Sequence, residues 1–177
     1  MTFSELYSEL RDKLPGSSSQ ERTKWARLIA GEKHAIMKLT PLLEEGETTA
    51  LRFQWLISEI GMHNKAYLRG QLSILYRLSK KIENEPFTRA FASYWRIAGV
   101  PVQDEGEAID QLFNQLSSPT ENVTMKWRAM EVLIKLVDKH KELKSELIDV
   151  LELQADLNEG NYKTKTLRVL EQLRQTS

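Results

Sequence analysis

The segment SSPTENVTMKWRAMEVLIKLVDKH, Ser117 to His140, contains a pattern that excludes most folds. Met130, Leu133, Ile134 and Val137 recur at i, i+3, i+4 and i+7, with Trp127 one turn earlier. This spacing gathers apolar side chains on one face of an α-helix. Ser117, Ser118, Pro119 and Thr120 supply a turn before it, and Glu121 and Asn122 suit the helix start. The signature occurs twice more. Phe53, Leu56, Ile57 and Ile60 form a stripe that is expected to stop at Gly61, and Ala90, Tyr94 and Ile97 lead to Gly99 with Pro101 just beyond. Glycine accepts the left-handed conformation of a helix end. No run alternates apolar with polar residues and is rich in β-branched side chains, so the chain is expected to be all-α.

The helices also recur with a period. Arg52, Arg89, Lys126 and Lys165 each stand near the start of such a helix, at intervals of 37, 37 and 39 residues. With two helices per unit, this falls in the range of HEAT and armadillo repeats. First helices are expected at about 33–45, 65–82, 104–118 and 141–157, and a shorter pair at about 2–14 and 18–31 places Lys24 in a compressed version of the same position. The predicted fold is a right-handed α-α superhelix, a HEAT/armadillo-like solenoid of about five helix pairs forming one domain over 1–177. A helical bundle without true repeats is the alternative.

The passage IDQLFNQLSSPTENVTMKWRAMEVLIKLVDKH resembles a HEAT unit, and KELKSELIDVLELQADLNEGNYKTKTLRVLEQL resembles the next. Together they are similar to short, functionally uncharacterised HEAT-like proteins of bacterial type. The likeness is specific from about residue 104 onward. Met125 and Trp127 depart from it, being bulky where the repeat consensus prefers small side chains. The resemblance implies a superhelical stack with a binding surface and no particular chemistry.

Composition restricts where such a protein works. Apolar residues make up 41% and charged residues 28%, as in folded soluble proteins. The absence of cysteine removes disulfides, thiol nucleophiles and Cys-ligated zinc, and suits a reducing cytoplasm. Acids interrupt the N-terminal stretch where a signal sequence would need an apolar core, and no uncharged run approaches membrane-spanning length. The 25 basic and 25 acidic side chains cancel, so attraction to an acidic partner must be local.

The expected second helices carry an excess of cations, whereas acids concentrate in first helices such as DEGEAID. In a solenoid the second helices line the concave face. Arg52, Trp55, Arg89, Arg96, Arg128 and Lys135 are therefore the candidate contacts for a protein partner, or for a nucleic-acid backbone as the alternative. Ordinary solvated helix faces would show the same charges. All four tryptophans also fall on second helices. Helical angles place Trp25 and Trp127 on core stripes and Trp95 at a flank, while Trp55 lies opposite its stripe, near Arg52 and Glu59. An aromatic there could anchor a peptide or stack on a base.

Three catalytic readings are weaker. DNA alkylation repair glycosylases resemble this chain in HEAT-like architecture and imply an aromatic cleft beside a carboxylate, which only Trp55 and Glu59 imitate. The stretch GSSS, Gly16 to Ser19, is similar to the serine loop of the fumarase and adenylosuccinate lyase superfamily. Here Gln20 and Glu21 replace Met-Pro, Thr23 takes the lysine position, and Ser18 or Ser19 as a helix N-cap explains the loop without catalysis. His34, His63 and His140 are scattered without metal-ligand spacing. No cofactor or metal is expected.

Overall fold

The computed structural model describes residues 1–176. Its described residues are all-helical, with ten α-helices and no strand, and they form two compact units, Met1–Gln103 and Asp104–Ser177. The boundary falls in the link 99–104, between the helices that end at Ala98 and begin at Glu105. No helix is long and apolar enough to cross a membrane among the described residues.

The first unit contains α1 (Phe3–Lys13), α2 (Ser19–Ile29), α3 (Ala35–Leu39), α4 (Glu47–His63), α5 (Lys65–Lys81) and α6 (Glu85–Ala98). Thr2 and Ser18 close capping boxes with Glu5 and Glu21, so Ser18 is a helix cap. The helix expected over 33–45 is broken. α3 lasts five residues and Thr40–Glu44 continue as a 3-10 turn, because Pro41 has no N–H to donate and its ring obstructs an α-helical turn.

Helix α4 packs against α2, α5 and α6. Phe53, Leu56, Ile57 and Ile60 are completely buried, at 0% exposure. Between α5 and α6 lies an aromatic cluster. The Tyr76 ring is 5.0 Å from Phe91 and from Trp95, and Phe91 is 5.1 Å from Tyr94. Tyr94 donates its hydroxyl to the Gln54 carbonyl at 3.2 Å, tying α6 to α4. Trp95 is buried, deeper than a flank position suggests.

Two glycines have different tasks. Gly99 ends α6 at φ 84°, and a Cβ there would stand 2.6 Å from Arg69 Nη1, which donates to the Ala98 carbonyl. Gly61 does not end α4, contrary to the reading of its sequence. The helix runs on to His63, and Asn64 closes it while capping α5 through the Tyr67 amide at 3.0 Å. A Cβ on Gly61 would collide with Leu68 Cδ2 and lie 3.1 Å from Ile97 Cγ2, so this glycine is a site of close helix approach.

The second unit contains α7 (Glu105–Ser117), α8 (Val123–Lys139), α9 (Lys144–Leu157) and α10 (Gly160–Gln175). α7 packs on α8, α9 on α10, and α7 on α9. Its interior includes polar groups. Lys126 is buried and donates to Gln154 Oε1 of α9 at 2.9 Å, and Asn158 Nδ2 donates to the same oxygen at 3.4 Å. Buried Glu121 accepts from the Asn122 amide at 3.0 Å. Met130, Leu133 and Val137 of the expected stripe are buried, and Ala129, Leu136 and Lys126 extend the buried face on one flank, whereas Trp127 and Ile134 on the other are half-buried. The flanks of a helix are chosen by its neighbours, and α7 and α9 cover the side that carries Lys126.

Gly61→Ala should lower stability by up to roughly 2 kcal/mol in urea unfolding, since overpacking costs about 1–3 kcal/mol and the helix gains about 1 from alanine. Burial holds the Lys126 ammonium below its ordinary 10.5, with Glu121 opposing the shift. The folded state therefore binds that proton less tightly than the unfolded chain, and this contribution to stability grows as pH rises through the folded value towards 10.5. Lys126→Met should remove that alkaline gain, measured as the difference between wild-type and variant unfolding free energies over an alkaline pH series.

Candidate functional site

Along α4, a second apolar face runs opposite the core stripe. Leu51, Trp55 and Met62 lie within about 40° of one another at 100° per residue, and all three are exposed. Trp55 keeps 44% of its surface in solvent although two guanidinium groups flank it. Arg52 Cζ stands 4.5 Å and Arg22 Cζ 5.6 Å from the ring centroid. Such cation–π contacts hold a large aromatic in place at an exposed site.

The two arginines differ. Arg22, on α2, is buried and fully committed. Its Nε donates to Glu59 Oε1 at 3.0 Å, and its Nη1 donates to the Ser17 carbonyl at 2.8 Å and to Ser17 Oγ at 3.3 Å. Thr23 Oγ1 donates to the other carboxylate oxygen of Glu59 at 3.3 Å. Arg52 has no carboxylate partner among the described residues, so its charge is available to a ligand. Glu59 is held in an ion pair with Arg22, with the Thr23 hydroxyl shared between its second oxygen and the Ser19 carbonyl at 3.0 Å, an arrangement suited to holding α2 against α4 rather than to proton transfer.

Of the sequence-predicted contacts, Arg52 and Trp55 are brought together. Arg89 and Arg96 lie on α6, half-buried and exposed respectively, and Arg128 and Lys135 lie on α8 of the second unit. Arg128 Nη1 reaches Met125 Sδ at 3.5 Å. Several cations of the expected basic face are engaged elsewhere. Arg22 pairs with Glu59, Arg174 with Glu152, and Lys126 is buried against Gln154. Lys139 donates to Glu105 at 2.6 Å, while His140 Nε2 stands 2.7 Å from the second oxygen of that carboxylate. Lys139 foremost, with His140, holds the Glu105 carboxyl below the usual carboxylate range. Sequence spacing left His140 without a carboxylate. The fold supplies one by bringing the first residue of α7 to the end of α8.

Arg22 was not singled out by sequence reasoning as a contact, although its pairing with Glu59 positions the ring. The available signal was its cationic position on a second helix. Among the described residues no group of three or more His, Asp or Glu side chains could hold a metal ion. Comparison of the chain with protein-family models, with curated proteins and with solved structures finds no match in any of the three. The interpretation of the site therefore rests on its geometry.

Glu59→Ala should cost about 2–3 kcal/mol of stability, near the low end for an ion pair broken in the interior, because the two side chains keep 9% and 15% exposure. Trp55→Ala should cost less, about 1–2 kcal/mol, since the ring keeps 44% exposure and its cation–π contacts are weak. Urea titrations of both variants check the contrast.

Proposed function

We propose that the chain is a non-catalytic binding scaffold of the cytoplasm, a right-handed HEAT-like solenoid of about five helix pairs that receives an acidic protein segment on α4. The observation that carries this reading is Trp55, exposed yet held between Arg52 and Arg22, with Leu51 and Met62 extending the apolar face. An exposed tryptophan held by its neighbours loses little freedom on binding, and such residues dominate the energetics of protein interfaces. Arg52 adds an unpaired positive charge beside it, which favours a carboxylate-bearing partner.

Support for a HEAT-like stack comes from the pattern of neighbours within each unit. In the first, the second helices α2, α4 and α6 follow one another side by side while α3 meets α5; in the second, the first helices α7 and α9 meet. The alternative, a nucleic-acid-binding solenoid resembling the DNA alkylation repair glycosylases in architecture, would use Trp55 as a stacking platform. It is disfavoured by the neutral overall charge and by the engagement of Glu59 in its ion pair with Arg22.

The test is fluorescence polarisation with a labelled amphipathic peptide of Glu and Leu at helical spacing, beside labelled single-stranded DNA and RNA, across a salt series. Peptide binding should weaken by about tenfold or more in Trp55→Ala, as for an interface hot spot. In Arg52→Ala it should weaken less and lose part of its salt dependence. Unchanged peptide affinity in Trp55→Ala would overturn the site, and tight, steeply salt-dependent DNA or RNA binding would replace the protein reading.

A further inference from the structure

Within the second unit, the starts of α8 and α10 border a cleft of about 250 Å³ lined by Val123, Thr124, Trp127, Asn161, Tyr162 and Lys165. Trp127 is here because the core took Lys126 in its place, so the indole forms a half-buried wall. Lys165 Nζ lies 4.8 Å from the centroid of that ring. It has no carboxylate partner among the described residues, and no Asp or Glu lines the cleft. Its one ionised side chain is therefore a cation beside an aromatic wall.

Tyr162 is buried, and its hydroxyl oxygen is shut off from solvent. Burial pushes its pKa up to about 12 against an opposing hydrogen bond with Thr166, so the group stays neutral. Asn122 caps α8 by accepting from the Met125 amide at 2.9 Å, whereas Glu159 at the head of α10 makes no side-chain cap bond. The first turn of α10, a helix of 16 residues, thus has no side-chain cap at the Asn161 end of the cleft.

We propose that this cleft binds a small planar organic anion, a single ring carrying a carboxylate or phosphate, with the ring against Trp127 and the anionic group at Lys165. The volume fits, since a cavity of roughly 150 Å³ already accommodates benzene. Apolar wall and cation act together: the ring gains contact with the indole, and the anion replaces the ring as the partner of the ammonium. The cleft belongs to the second unit and does not depend on the partner proposed for α4.

The experiment is a titration of the full chain with benzoate and with phenyl phosphate, followed by the indole N–H signals of the four tryptophans and the backbone amides in ¹H–¹⁵N spectra. Benzyl alcohol and inorganic phosphate are the neutral and ringless comparisons. Benzoate, phenyl phosphate or both should shift the Trp127 indole and the Asn161 and Tyr162 amides, with saturation in the millimolar range expected of so small a ligand. Lys165→Met, which keeps the chain length of an exposed side chain and should leave the fold intact, should weaken that binding by roughly three- to tenfold. Benzyl alcohol and inorganic phosphate should each produce clearly smaller shifts. Equal response to benzyl alcohol, equal response to inorganic phosphate, unchanged affinity in Lys165→Met, or no movement of Trp127 at about 10 mM of either ring anion would each overturn the assignment.

Discussion

The first unit depends on α4 having more neighbours than one apolar face can serve. Its core stripe, Phe53, Leu56, Ile57 and Ile60, is shut off from solvent because α2, α5 and α6 all pack on this helix. Side chains packed that tightly tolerate little change of volume. At Gly61 the backbone itself forms the contact surface for Leu68 and Ile97. A helix fixed in this way presents its remaining face at a fixed angle. Trp55 stands on that face, so its position follows from the packing behind it.

Charge has three different uses. Arg22 and Glu59 are spent on joining α2 to α4, and Lys126 on a buried hydrogen bond to α9. Lys139 and His140 converge on Glu105 and tie the end of α8 to the start of α7. Arg52 and Lys165 instead lie against tryptophan rings, with no acid beside them among the described residues. A cation held only by an aromatic face gives up little when an anion arrives, because the ring contact is weak compared with an ion pair in a desolvated setting. The two tryptophans outside the core each have such a cation.

Much of the helical layout was legible in the residues. The stripes at 53–60 and 130–137 are helices, Gly99 ends α6, and Ser18 caps α2. The helical angle set Trp55 opposite its own core stripe, and its exposure depended on which neighbours covered that flank. The misreadings arose where a residue admits two local roles. Gly61 suits a helix end as well as a close approach, and only the presence of Leu68 and Ile97 decides between them. Trp127 and Lys126 differ by 100° about the same axis, and apolar character alone favoured Trp127 for the interior. Lys126 is buried because Gln154 on another helix receives its ammonium. The partnership of Arg22, Thr23 and Glu59 joins residues some 36 positions apart, beyond any local pattern.

The sequence by itself determined that the chain is helical, where most helices begin and end, and that Trp55 points away from its own core stripe. These properties are local: they follow from a 3.6-residue period, from caps that bond within a few residues, and from the backbone preferences of glycine and proline. Tertiary structure decided which cations are spent on ion pairs, which flank of α8 is covered, and that Trp127, Tyr162 and Lys165 share a cleft. Those outcomes depend on where a neighbouring helix places its side chains, and periodicity along one helix carries no information about the rotation of the next.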